Sequence, residues 1–322
     1  MLYPMKLKAP LKDYLWGGTR LKEEYGKSGD LEKVAESWEL SCHKDGQSII
    51  ENGEAAGQTL AAYIEAQGHG ILGPRGGKEE GFPILVKFID AKDNLSVQVH
   101  PDNEYAWRVE GEPGKTEMWY VVDAEPGAQL IYGFRQEISR EEFARRIEDN
   151  TLLEVCRQVP VKKGDTFFIA SGTLHAIGAG ALICEIQQSS NTTYRVYDYG
   201  RKGADGRPRE LHIEKALAVT RREPLELRTE PVACLHGLVA GADIDLLASC
   251  EYFTVYHIAL QDEIRLAAPE ESFQAVTVLS GTVAIKSGSG EVTLAKGETA
   301  FLPVGLGAYS LRGTGELLLS EA

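Results

Sequence analysis

The feature that most constrains the fold is a rhythm that occurs twice in the chain. Residues 159–178 read "VPVKKGDTFFIASGTLHAIG" and residues 292–311 read "VTLAKGETAFLPVGLGAYSL". Each gives a strand, a Lys-Gly-acid turn, an aromatic strand and a second turn containing glycine. Further short apolar runs bounded by Gly, Pro and Asp surround both copies, among them "SWELSCH", "PILVKFIDA", "LSVQVH", "EMWYVVDA", "AQLIYGF", "LICEIQQ", "TYRVYDY" and "YFTVYHIAL". Many short strands at this spacing predict antiparallel jelly rolls rather than alternating strand–helix units. The chain has no G-x-G-x-x-G and no G-x-x-x-x-G-K-S, so neither nucleotide-binding loop is expected.

The expected fold is mainly β, with tandem jelly rolls of the cupin type and a few helices inserted in the N-terminal part. Ser139 followed by Glu142 forms a capping-box pattern, and Phe143 and Ile147 share one helical stripe, so "SREEFARRIEDN" predicts a helix. "TLLEVCRQV" reads as its continuation after a break near Asn150. "TLAAYIEAQG", with Gly68 as a stop, and "ELHIEKALAVT" predict two more. The texture changes after about residue 221. The segment 1–220 is expected to be the catalytic, metal-binding domain, and 221–322 a smaller β domain. The repeat supports this division: His175 in the first copy has only Gly307 or Ala308 near the same place in the second.

The 322 residues are 43% hydrophobic with a formal charge of -14. An acidic surface argues against nucleic acid and anionic membranes as partners, though a basic pocket for a small anion remains compatible. The five cysteines are odd in number and include no C-x-x-C pair. Neither a disulfide framework nor a cysteine zinc site is therefore expected, and mostly buried free thiols are. "MLYPMKLKAPLKDYLWGG" lacks the apolar segment of a signal peptide. A soluble cytoplasmic protein, monomeric or weakly dimeric, is the expectation.

The chemistry begins at "LSVQVHPD", residues 95–102. Alternation along a strand puts Leu95, Val97 and Val99 on one face and Ser96, Gln98 and His100 on the other. By the same period, Lys115, Glu117 and Trp119 share a face of "GKTEMWYVV", and His175 follows a glycine turn in "SGTLHAIG". Two imidazoles, one carboxylate and an amide oxygen are a donor set that can close around a divalent ion inside a barrel. The other histidines, His43, His69, His212, His236 and His257, read as structural.

Several stretches together resemble the type I phosphomannose isomerase family, especially its short bacterial form. They are "WGG" (16–18), "ESWELS" (36–41), "FPILVKFIDAKDNLSVQVHPD" (82–102), "GKTEMWYVV" (114–122), "SGTLHAIGAG" (171–180) and "EIQQSSNTTYRVYDYGR" (185–201). The resemblance implies one Zn²⁺ per chain held by Gln98, His100, Glu117 and His175. It implies an active-site arginine at Arg195, and interconversion of mannose 6-phosphate and fructose 6-phosphate through a cis-enediol. The large helical insertion of longer members is reduced here.

Further roles are open between two readings each. Glu185 is either the proton-transfer base or a group orienting a histidine, and His, Lys or a metal-bound water are open as the base. Lys87 and Lys115 are either snorkelling surface lysines or cations lining the barrel near substrate oxygens. Ser96 is placed to hydrogen-bond a sugar or phosphate oxygen. Arg195 either forks an anionic oxygen or pairs with Asp198. Arg201, Lys202 and Arg207 read as a solvated turn. Two rival functions fit the same fold: an iron dioxygenase with a 2-His-1-carboxylate triad, and a silent sugar-phosphate regulator.

Overall fold

A computed structural model describes residues 2–77, 81–203 and 206–322. It forms two compact units. One comprises residues 13–18 and 89–229, and the other residues 1–12, 19–88 and 230–322. This grouping is not colinear with a division at residue 220. The reason is strand pairing: Met5–Lys8 runs antiparallel to Thr299–Leu302, with Met5 opposite Phe301, so the chain start is built into the sheet made by the chain end.

The unit of residues 89–229 is a two-sheet barrel with antiparallel pairing. One sheet has the order Cys156–Pro160, Gln129–Phe134, His175–Ile177, Val97–Val99, Tyr194–Tyr197. Facing it, Glu117–Ala124 lies between Thr166–Ile169 and Ala181–Gln188. The outer side of the first sheet carries the apolar core of this unit. There Val97, Val99 and Leu174 pack with Phe143 and Ile147 of the helix Arg140–Glu148. That helix starts as its capping pattern predicts: the Ser139 hydroxyl accepts from the Glu142 amide at 3.0 Å. The helix Ile213–Val219 adds Ala216 and Leu217 to the same core.

The expected helical continuation at 151–159 does not form. Asn150 takes a left-handed φ of 59°, a single 3₁₀ turn spans Leu152–Glu154, and Cys156–Pro160 becomes an edge strand. Pairing with Gln129–Phe134 overrides the helical propensity of "LLEV". The helix Leu60–Gln67 forms as expected, capped by Thr59 and stopped at Gly68.

The other unit carries a long antiparallel sheet in which Gln274–Ser287 and Ala308–Glu321 pair along most of their length. Its interior is hydrocarbon: Val276, Val278, Ile285, Leu294, Leu302 and Leu311 form one buried cluster. The repeated rhythm is preserved in the backbone. Gly164 and Gly297 occupy the first turn of each copy and Gly172 and Gly305 the second, all with positive φ. Among the described residues, no helix is long and apolar enough to cross a membrane.

None of the five cysteines forms a disulfide. Only Cys156 and Cys184 are buried, and Cys234 is exposed, so the expectation of mostly buried thiols does not hold. Trp16, Trp38 and Trp119 are core, whereas Trp107 is exposed.

Candidate metal centre and active site

Strand register explains how the polar side chains meet. Across four neighbouring strands Tyr132, His175, Gln98 and Arg195 lie directly opposite one another and so share one face. On the facing sheet Glu117 is opposite Gln187, and Trp119 opposite Glu185. Two backbone bonds draw the separate segments together. Gly172 N donates to His100 O at 2.8 Å, and Lys115 N donates to Pro101 O at 3.0 Å. Only glycine suits position 172: φ is +83°, and a Cβ there would stand 2.8 Å from the Val219 carbonyl oxygen. His175 follows that turn.

His100, Glu117 and His175 are fully buried, and their ligating atoms all lie within 4.8 Å of one another. His175 Nε2 is 3.1 Å from Glu117 Oε1, and His100 Nε2 is 3.6 Å from the same oxygen. Each imidazole uses its other nitrogen to donate to a backbone carbonyl: His100 Nδ1 to Thr192 O at 2.8 Å, His175 Nδ1 to Thr173 O at 2.9 Å. A carbonyl only accepts, so the proton sits on Nδ1 and both Nε2 lone pairs turn inward. Burial, then the Lys115 charge, brings His100 down to about 3. Burial also lowers His175. Glu117 is driven upward by burial but held well below the usual carboxylate range by Lys115, His100 and His175. The resting site thus contains two neutral imidazoles and one carboxylate.

Glu117 Oε1 is buried and accepts no hydrogen bond. An orphaned carboxylate oxygen between two inward lone pairs is suited to a divalent cation and to little else. The Gln98 amide lies 3.4 Å from His175 Nε2, so turning that amide about its last bond presents a neutral oxygen to the same point. The four ligand positions expected from the sequence are therefore together.

Charged neighbours complete the site. The Lys115 ammonium is buried, 2.6 Å from Glu117 Oε2, 3.2 Å from His100 Nε2 and 3.6 Å from Glu185 Oε1. Snorkelling is thereby excluded for Lys115. Glu185 Oε2 accepts from the Trp119 indole N–H at 2.7 Å, and that indole meets His175 edge-on at 5.3 Å between ring centres. The Arg195 Nε–H donates to Ser96 Oγ at 3.3 Å, and its Nη1 to Glu210 O at 3.0 Å.

The pairing of Arg195 with Asp198 that the sequence left open is taken by other residues. Arg201 and Arg209 both form ion pairs with Asp198. Ala204 and Asp205 of the expected turn lie outside the described residues. Lys87 is also buried, which excludes snorkelling for it too. It belongs to the other compact unit, where its ammonium is 3.5 Å from Glu36 and 5.9 Å from the Trp38 ring.

Sequence reasoning missed the Thr173 and Thr192 carbonyls, which no residue type signals. Period two puts Gln187 on the face of Glu185 but gave it no role; its buried Oε1 accepts no hydrogen bond, and it stands opposite Glu117.

Comparison with known proteins gives the family. Residues 4–121 match the family model "Phosphomannose isomerase type I, catalytic domain", and residues 243–322 match "Mannose-6-phosphate isomerase, cupin domain". The chain is 39% identical over 324 residues to the mannose-6-phosphate isomerase of Streptococcus mutans, covering 100% of this chain and 99% of the relative. It is 38% identical over 319 residues to a mannose-6-phosphate isomerase of Bacillus subtilis, covering 99% and 98%. A solved mannose 6-phosphate isomerase from B. subtilis superposes with a TM-score of 0.91 at 35% identity, covering 99% of both chains. The apo enzyme from Salmonella typhimurium shares the fold, with a TM-score of 0.77 at 18% identity over 100% of this chain and 99% of that one. With full-length identity at this level and both of its domain models matched, the chain belongs to the type I phosphomannose isomerase family of isomerases.

Proposed function

We propose that this chain interconverts mannose 6-phosphate and fructose 6-phosphate, with one zinc ion held by Gln98, His100, Glu117 and His175. The observation that carries the reading is the convergence of three buried ligand atoms within 4.8 Å around a carboxylate oxygen that accepts no hydrogen bond. When bound, the ion supplies Lewis-acid polarisation of the sugar's O1/O2 edge and so lowers the barrier to a cis-enediolate. The chain's own residues do the rest. Lys115 balances the Glu117 charge through Oε2, which leaves Oε1 as the carboxylate oxygen that would hold the ion, and its ammonium lines the site where substrate oxygens would bind. Lys115 and Glu185, 3.6 Å apart, form the proton-handling pair for transfer between C1 and C2. Trp119 fixes the Glu185 carboxylate by its 2.7 Å bond. Arg195 and Ser96, on the Gln98 face, grip an anionic oxygen of the sugar phosphate.

These cations favour a phosphorylated sugar over the apolar substrate of a dioxygenase. The test is a coupled assay on mannose 6-phosphate with the purified chain. Fructose 6-phosphate should form, stop on chelation and return with Zn²⁺. Absence of product from metal-loaded protein overturns the reading.

A further inference from the structure

A second cluster of ligating side chains stands in the other unit, away from any role in the isomerase reading. The edge strand Ala233–Cys234 pairs with Ala242–Ser249, which pairs with Thr254–Leu260, and in this register Cys234, Asp245 and His257 lie on one rung. The ladder runs on past the short strand, because Leu235 N donates to Ile244 O at 2.7 Å. His236, two residues after Cys234, therefore returns to the Cys234 face. The ligating atoms of Cys234, His236 and Asp245 all fall within 4.8 Å of one another. His236 Nε2 is 2.8 Å from Asp245 Oδ1, and His257 Nδ1 stands 3.7 Å from Asp245 Oδ2.

We propose that Cys234, His236 and Asp245 form a second metal site for a borderline-soft divalent cation, Zn²⁺ being the reference case, with its remaining position open to solvent.

Four observations carry it. Thiolate, imidazole and carboxylate are the donors that select zinc-like ions over Mg²⁺ or Ca²⁺, which take oxygen ligands. The donors are mounted on a paired ladder, so little ordering is needed to bring them together. The site is reachable: Cys234 is exposed, and the His236 side chain is 53% exposed. The carboxylate brings the negative charge a cation needs, with Asp245 Oδ1 2.8 Å from His236 Nε2 and Asp245 Oδ2 3.7 Å from His257 Nδ1. Binding replaces the S–H bond by an S–metal bond and releases one proton to solvent, and the His236–Asp245 contact opens to admit the ion.

Cobalt separates this site from the catalytic one, whose proposed ligands include no sulfur. The full-length chain is stripped with chelator and titrated with Co²⁺. A near-ultraviolet thiolate-to-cobalt charge-transfer band should grow in, with one bound equivalent beyond that of the catalytic site. Cys234→Ala should abolish the band and remove that equivalent, leaving turnover of mannose 6-phosphate unchanged. His236→Ala, which keeps the thiol, should weaken the band-forming affinity by about a hundredfold or more. No band in the wild-type chain overturns the proposal, and so does an undiminished band in Cys234→Ala. The thiolate band and its loss in Cys234→Ala do not depend on the isomerase reading.

Discussion

The two copies of the repeated rhythm build opposite interiors. In residues 292–311 the inward positions include Leu294, Ala300, Leu302 and Leu311, all fully buried in a hydrocarbon cluster. In the earlier copy and the strands around it, two facing sheets present His175 and Gln98 from one side and Glu117, Glu185 and Gln187 from the other. The glycine turns match: Gly172 and Gly305 have φ of 83° and 85°. Three residues on, the first copy places His175, fully buried, and the second places Ala308, exposed. The backbone plan thus tolerates either filling. A barrel lined with hydrocarbon is stabilised by burial. A barrel lined with charge has its apolar core elsewhere, and here Val97, Val99, Phe143 and Ile147 supply it on the outer side of the sheet.

The largest effect that tests this contrast is His175→Ala. Removing one of three converging ligand atoms should lower kcat/KM by about a thousandfold or more, with metal content falling in parallel. Elemental analysis beside the coupled assay checks both. Retained zinc-dependent turnover would break the contrast, because the polar filling would then have no catalytic purpose.

Leu311→Ala makes the complementary cut in the hydrocarbon-filled barrel. A buried Leu→Ala change costs about 2–5 kcal/mol of stability. Denaturant unfolding should register that loss, while kcat per folded molecule stays at the wild-type value. A metal-binding defect in folded protein would show that the apolar barrel is more than scaffold.

Trp119→Phe removes the indole donor to buried Glu185 and keeps the ring beside His175. Losing a hydrogen bond to a charged group costs about 1.5–3 kcal/mol. Stability should fall by that order, and kcat should drop more than KM rises. An unchanged kcat would remove Glu185 from the proton-handling pair.

The smallest effect is expected at Asp198. Burial works to raise its carboxyl, but the bonds from Arg209 and Arg201 outweigh burial and bring it below its ordinary value. A depressed folded-state value contributes stability that is present above the unfolded value of about 4 and is lost as pH falls through the folded value. Asp198→Asn should therefore flatten the acid limb of the stability–pH curve below about pH 4 and destabilise the protein by about 1–2 kcal/mol at neutral pH. Melting temperatures between pH 3 and 7 would read it, and an unaltered acid limb would assign the acid sensitivity to other carboxylates.

Much of the site was legible in the chain because alternation in a strand is a local rule. Gln98 and His100 share a face by period two, as do Lys115 and Glu117, and the structure keeps both pairs. The helix from Ser139 was equally legible, since its cap and its stripe lie within ten residues. What was not legible depends on partners far along the chain. "LLEV" is a helix former by composition and leads into a strand because Gln129–Phe134 offers an edge. Lys87 interrupts an apolar strand, and only packing revealed that Glu36 and Trp38 meet it. Asp198 found Arg201 and Arg209 rather than Arg195.

By itself the sequence determined the strand-rich class, the polar faces and the glycine turns, because these follow from backbone sterics and from the period of two. Tertiary structure alone decided which lone pairs turn inward, which carboxylate oxygen is left without a donor, and that Cys234, His236 and Asp245 stand together. The physical reason is register: hydrogen bonds between strands distant in sequence set which residues sit opposite one another, and no local propensity specifies that choice.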